Sequence, residues 1–88
     1  PQKYTLGQNY PNPFNPVTTI KYALPEKADV EISIFNLNGA LVETILNKNK
    51  KAGYHKILWN AKAAPTGVYL YRIKAAQYTD IKKCVLIK

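Results

Sequence analysis

Five carboxylates, one histidine and one cysteine are the side chains of this 88-residue chain that could carry catalysis or hold a metal. Glycoside hydrolysis would need two carboxyl groups facing one cleft, but Glu26, Asp29, Glu31, Glu43 and Asp80 fall in turns or on outward-alternating positions. His55 sits between Tyr54 and Lys56, on the face that Ile57 and Trp59 share, and reads as a packed, hydrogen-bonded residue. A single histidine makes a Ser-His-Asp constellation or a His-based metal site hard to build. Cys84 has Lys82 and Lys83 nearby, which would lower a thiol pKa, but it lies in an apolar run, and free cysteine is among the most buried residue types. One cysteine supports neither an internal disulfide nor a multi-cysteine zinc site. The four glycines stand apart, so no phosphate-cradling loop is present. These residues point to no enzyme and to no metal or cofactor.

Charge is the next possible carrier of function. Thirteen basic residues oppose five acidic ones, for a net charge of +8. Residues 1–44 hold three lysines against four acids, whereas residues 45–88 hold nine lysines and Arg72 against Asp80 alone. Such a half attracts anionic partners or forms a solvated lysine surface. Nucleic-acid binding would need lysines interleaved with exposed aromatics, and Tyr54, Lys56, Arg72, Lys74 and Tyr78 are the candidates. With one arginine and no recognisable binding signature, no nucleic-acid partner is expected. Sugar binding would use Trp59 and some of the seven tyrosines as platforms, but Trp59 shares its face with Ile57 and is better placed to fill a core.

The elements that position these residues are strands. Ile20, Tyr22 and Leu24 alternate with Thr19, Lys21 and Ala23, and Val30, Ile32 and Ile34 alternate with Glu31, Ser33 and Phe35. A period of two marks a half-buried strand. Asn38-Gly39 predicts a two-residue type I′ hairpin returning through residues 40–46, with a short helix there as the alternative. Residues 47–53 read as a polar, lysine-rich loop ending at Gly53. Further strands are expected over 54–60, 68–75 and 79–87, with Gly67 closing the turn before the second of these and a short first strand near 4–8. Tyr69 and Tyr71 fall on the inward face with Ile73. The last strand ends Cys84-Val85-Leu86-Ile87, apolar on both faces, which predicts a central or doubly covered position. About seven strands with turns every 8–12 residues predict an all-β, Ig-like antiparallel sandwich forming one domain. No stretch approaches the roughly 20 apolar residues of a membrane-spanning helix. A start at Pro1 reads as a piece excised from a longer precursor.

The segment Asn9-Tyr10-Pro11-Asn12-Pro13-Phe14-Asn15-Pro16 stands out. Three of its residues are prolines that fix φ, remove donors and push the preceding residue towards an extended conformation. Asn9, Asn12 and Asn15 can each close Asx-type turns. The expected product is a stiff loop anchored by Tyr10 and Phe14. Two roles stay open: a surface recognised without ordering cost, or a connection that closes the sandwich.

That segment, with Leu6-Gly7-Gln8 before it and Thr18-Thr19-Ile20-Lys21-Tyr22-Ala23-Leu24-Pro25 after it, resembles the opening of the type A C-terminal sorting domain of the type IX secretion system. The similarity continues through Val30–Gly39, through Ala52-Gly53-Tyr54-His55-Lys56-Ile57-Leu58-Trp59-Asn60, through Thr66-Gly67-Val68-Tyr69-Leu70-Tyr71-Arg72-Ile73, and to the end at Lys82-Lys83-Cys84-Val85-Leu86-Ile87-Lys88. It departs at Cys84, where the family often has a bulkier apolar residue. The resemblance implies an Ig-like sandwich at the end of a secreted precursor in a Gram-negative bacterium. It also implies a fused N-terminal cargo, recognition by the outer-membrane translocon from the periplasm, and removal by a sortase-like peptidase. Candidate recognition residues are Asn12, Pro13, Phe14, Asn15 and Pro16 in the loop, and Lys82, Lys83 and Lys88 as a basic docking end. Gly39, Gly53 and Gly67 are assigned to turns, and Trp59, Tyr69 and Tyr71 to the core. The last strand is a candidate for pairing with a partner by strand addition. An accessory carbohydrate- or surface-binding module of a glycoside hydrolase is the alternative reading, and homodimerisation is left open.

Overall fold

The computed structural model describes all of residues 1–88, and the alternating segments pair as the period of two requires. Seven strands form: β1 (Thr5–Leu6), β2 (Val17–Leu24), β3 (Ala28–Asn36), β4 (Leu41–Lys50), β5 (Gly53–Asn60), β6 (Gly67–Ala75) and β7 (Tyr78–Leu86). They make two antiparallel sheets, of order β1-β2-β5 and β4-β3-β6-β7. The fold is an all-β sandwich, as expected. The inward rows are those the alternation picks out. Ile20, Tyr22 and Leu24 of β2 face Val30, Ile32 and Ile34 of β3 and Tyr71 and Ile73 of β6 across one apolar core. Trp59 fills one end of that core, with its ring 5.5 Å from both Phe14 and Tyr69.

Three local expectations are corrected. Residues 47–50 are strand rather than loop: Ala28–Glu31 need a partner, and Lys50, Asn49, Lys48 and Asn47 supply it in register. The Asn49 carboxamide donates to the Asp29 carboxylate across that pair (2.8 Å). Tertiary pairing here overrides a composition that reads as a turn. The connection to β5 shrinks to Lys51-Ala52, and Gly53 opens β5 at φ 140°. The β3–β4 hairpin is not type I′, because only Gly39, and not Asn38, has positive φ. Gly39 N–H donates to the Asn36 carbonyl and Asn36 N–H to that of Ala40, which makes a three-residue loop with glycine in the left-handed position. The Asn36 side chain reinforces it by accepting from Asn38 and Ala40 N–H. Finally, β7 is an edge strand rather than a central one. Nor is its apolar end covered on both faces: inward Cys84 and Leu86 are buried, but outward Val85 is half-buried and Ile87 is 51% exposed.

Candidate functional site

Three prolines keep residues 9–16 out of a regular ladder, so their polar groups must bond elsewhere. They bond to the sandwich edge. Tyr10 exchanges both backbone hydrogen bonds with Thr19, and Pro16 O accepts from Ala61 N–H. Beneath the loop lies a buried polar network. The Asn9 carboxamide donates to Thr18 Oγ1 (3.0 Å) and to Pro11 O (3.2 Å), and accepts from Gln8 Nε2. Thr18 in turn donates to Pro11 O. The Tyr71 hydroxyl accepts from Asn9 N–H (2.8 Å) and donates to Gly7 O (2.7 Å), so one phenol on β6 holds the N-terminal segment on both sides of Gln8. Burial pushes the Tyr71 phenol up to about 12, against a smaller opposing effect of the bond from Asn9. Cys84, on the neighbouring strand, is pushed up to about 11 by the same cause, so at neutral pH it is a buried thiol and not a thiolate.

The expected Asx turns do not form at Asn9, whose amide bonds Gln8, Pro11 and Thr18, or at Asn12, whose amide reaches β7; turns of that kind occur at Asn36 and Asn60 instead. Asn12 Oδ1 accepts from Val85 N–H (2.9 Å). Phe14 N–H donates to Val85 O and Phe14 O accepts from Ile87 N–H (both 3.0 Å), an arrangement that bridges Phe14 and Leu86 in parallel. Gln8 Nε2 donates to Lys83 O. The loop therefore acts as a short surrogate strand along the distal half of β7. This removes the edge on which strand addition at the C-terminal end would depend. The Phe14 side chain is 3% exposed and packs on Trp59.

The structure thus brings the two candidate recognition segments together, with residues 12–14 lying against residues 85–87 and Gln8 against Lys83. Within the loop, Asn12, Pro13 and Asn15 are exposed, Pro16 is half-buried and Phe14 is buried. The lysines do not form one patch. Lys82 and Lys83 are consecutive in a strand and point to opposite faces, Lys82 half-buried and Lys83 exposed. Lys88 folds back on the β5–β6 connection: its Nζ donates to Lys62 O (2.6 Å) and its N–H to Thr66 Oγ1. Gly39, Gly53 and Gly67 lie at the hairpin, at the start of β5 and at the start of β6. Trp59, Tyr69 and Tyr71 are buried, with Trp59 at 1% exposure, so Trp59 offers no platform to a sugar. His55 is half-buried, stacked on Tyr22, and donates from Nε2 to Lys51 O. Asn9 and Thr18 were not singled out as site residues. Thr18 shares the parity of Ile20, Tyr22 and Leu24, which marks an inward hydroxyl in need of a partner.

At the opposite edge, between β4 and β5, a cleft of about 360 Å³ is lined by Val42, Glu43, Trp59, Ala63, Pro65 and Tyr69. The Trp59 indole N–H donates to Glu43 there (3.3 Å). The sequence of residues 8–88 matches one family model, the secretion system C-terminal sorting domain. The chain belongs to that family. It is a type IX secretion sorting domain, which implies export to the cell surface or secretion in a Gram-negative bacterium, a fused cargo and secretion machinery as its context. Domains of this family are generally non-catalytic. No curated protein and no solved structure is significantly similar to the chain.

Proposed function

We propose that residues 1–88 are a single sorting domain that carries an N-terminally fused cargo through the outer-membrane translocon and is then cut away by a sortase-like peptidase. The observation that carries this is the family match over residues 8–88. The clasp supports it further. Anchoring Phe14 in the core and tying Asn12 to Val85 fixes the exposed faces of Asn12, Pro13 and Asn15 before any partner arrives, so recognition costs little ordering entropy. Lys83 lies beside this loop and adds positive charge for an acidic receptor surface, which raises the encounter rate more than the final affinity. Lys82, on the opposite face of β7, and Lys88, folded against Lys62 and Thr66, add positive charge from other sides of the same end.

The test is to fuse residues 1–88 to a periplasmic reporter in a host with this secretion system. Export with loss of the tag is expected; a reporter that stays in the periplasm overturns the reading. Asn15→Ala is the cleanest variant for recognition, because it alters an exposed loop amide. Reduced export at an unchanged melting temperature supports loop recognition, and full export removes Asn15 from the receptor contact. Export that survives Lys82→Gln, Lys83→Gln and Lys88→Gln together would remove the basic end from the proposal.

A further inference from the structure

The outer face of the three-stranded sheet has a charge pattern with no partner in the fold. β2 and β5 place Lys21 directly opposite Lys56. Like charges in that relation destabilise an antiparallel pair, and no carboxylate relieves them, because β1, β2, β5 and residues 7–16 contain no Asp or Glu. Tyr10 and Tyr54 flank the two lysines on a diagonal. Tyr10 bridges Thr19 and Tyr54 pairs with Ala23, and strand partners share a face with each other, so both rings lie on the side of Lys21 and Lys56. They are 80% and 81% exposed, and neither stacks on another aromatic ring. Shallow hollows of about 380 and 430 Å³ lie on either side of Lys21. One runs beside Tyr10 and Gln8, the other beside Tyr54 and His55. Four residues of strand rise and two strand spacings separate the backbone positions of the tyrosines, about 17 Å in all.

We propose that this face binds an acidic oligosaccharide, with Lys21 and Lys56 pairing to a carboxylate-bearing sugar and Tyr10 and Tyr54 stacking on the rings to either side. The chemistry selects this occupant over others. Protein interfaces deplete lysine at their centres, and here the centre is two lysines. Single-stranded nucleic acid stacks successive bases on aromatic rings with help from arginine, whereas these rings are far apart and the face has no arginine. An added peptide strand could pair only along the free edge of β5, because β2 is paired on both sides, and from there it would not span Lys21 and Tyr10. Tyrosine instead supplies an apolar ring and a polar tip, which suits a sugar face with its hydroxyl rim. The inference does not rest on the export reading.

The test uses the 88-residue chain and tetragalacturonate, with neutral maltotetraose as control, measured by calorimetry at low and high salt. Tetragalacturonate should bind, maltotetraose should not, and 0.5 M salt should weaken binding, because exposed charges are screened. Lys21→Gln with Lys56→Gln should weaken binding by roughly tenfold, the size of two lost exposed ion pairs. Tyr54→Ala should weaken it as well. Lys82→Gln with Lys83→Gln removes the same charge from another edge and should change affinity less than about twofold. Equal losses in the two lysine pairs would reduce the effect to net charge and overturn the site. No tetragalacturonate binding, or binding of poly-glutamate or oligo-dT by these residues instead, would overturn the ligand class. The altered side chains are exposed, and an unchanged Trp59 fluorescence melt excludes loss of fold as the cause.

Discussion

The two open sides of the sandwich solve the same problem in opposite ways. An unpaired strand edge invites unwanted pairing. At β7 the chain covers its own edge with an irregular segment: Asn12 and Phe14 occupy the backbone of Val85 and Ile87, and the segment is held by a buried aromatic and a buried phenol. At β4 and β5 nothing covers the edge. β4 is interrupted by register shifts near Ser33 and Phe35 of its partner and ends in Lys48 and Lys50, devices that discourage pairing by geometry and charge. A covered edge needs anchors to offset the entropy of ordering a loop, whereas a protected but open edge needs few. Stability should therefore concentrate on the side of the clasp.

The largest test of this contrast is Phe14→Ala. Deleting a ring that is 3% exposed and packed on Trp59 should cost about 3–5 kcal/mol, a large part of the roughly 5–13 kcal/mol expected of a domain this size. Urea unfolding followed by Trp59 fluorescence measures it. A loss under about 1 kcal/mol would mean that the loop lies on the sandwich without holding it.

Next in size is Tyr71→Phe, which leaves Gly7 O and Asn9 N–H without their buried partner and should cost about 1–3 kcal/mol. It also has a signature in pH. The folded chain keeps the Tyr71 proton up to about 12, the unfolded chain only to its ordinary 10.0. The native state therefore binds more protons between those values, and stability present below pH 10 is lost as pH rises through the window. Cys84, raised from 9.0 to about 11 by burial, adds a loss that begins lower. Melting temperatures from pH 8 to 12 should fall along this alkaline limb. Tyr71→Phe should flatten it most between pH 10 and 12. Tyr22 and Tyr78 are also raised by burial, so the limb should shrink without vanishing. An identical limb in the variant would separate Tyr71 from the alkaline transition.

How much of this was legible in the sequence follows from where the information lies. The inward rows of β2, β3 and β6 can be read directly, because a period of two is a local property. Parity also separates Lys82 from Lys83, so the basic end is spread over two faces of β7. Thr18 carried a readable signal for the same reason. The clasp was not legible in detail. Asn12 bonds Val85 and Gln8 bonds Lys83, partners more than 70 residues away whose pairing depends on the closed fold. The strand character of Asn47–Lys50 likewise comes from β3 across the hairpin, and not from those residues themselves.

The hairpin between β6 and β7 supplies a smaller test, of opposite sign. Its two-residue loop puts Ala76 at φ 53°, the one non-glycine residue with positive φ. A left-handed conformation costs an L-residue about 1–2 kcal/mol, and glycine gives back part of that gain through its freer unfolded state. Ala76→Gly should therefore stabilise the chain by about 0.5–1 kcal/mol, read as a higher urea midpoint. Because the hairpin delivers β7 to the clasp, the gain should add to the loss from Phe14→Ala if the two ends of β7 act independently. A double variant that departs from the sum would show that hairpin and clasp are coupled.

The smallest effect belongs to the open edge. Leu58 on β5 is 62% exposed, whereas Leu86 beside the clasp is fully buried. Leu58→Thr keeps a residue that suits a pleated, half-exposed strand and should change stability by no more than about 0.5 kcal/mol. Leu86→Ala should cost about 2–5 kcal/mol in the same urea titration. If Leu58→Thr cost more than about 1 kcal/mol, the edge at β5 would be as tightly packed as the one under the proline loop. The stability of the domain would then come from the sandwich as a whole and not from the clasped side.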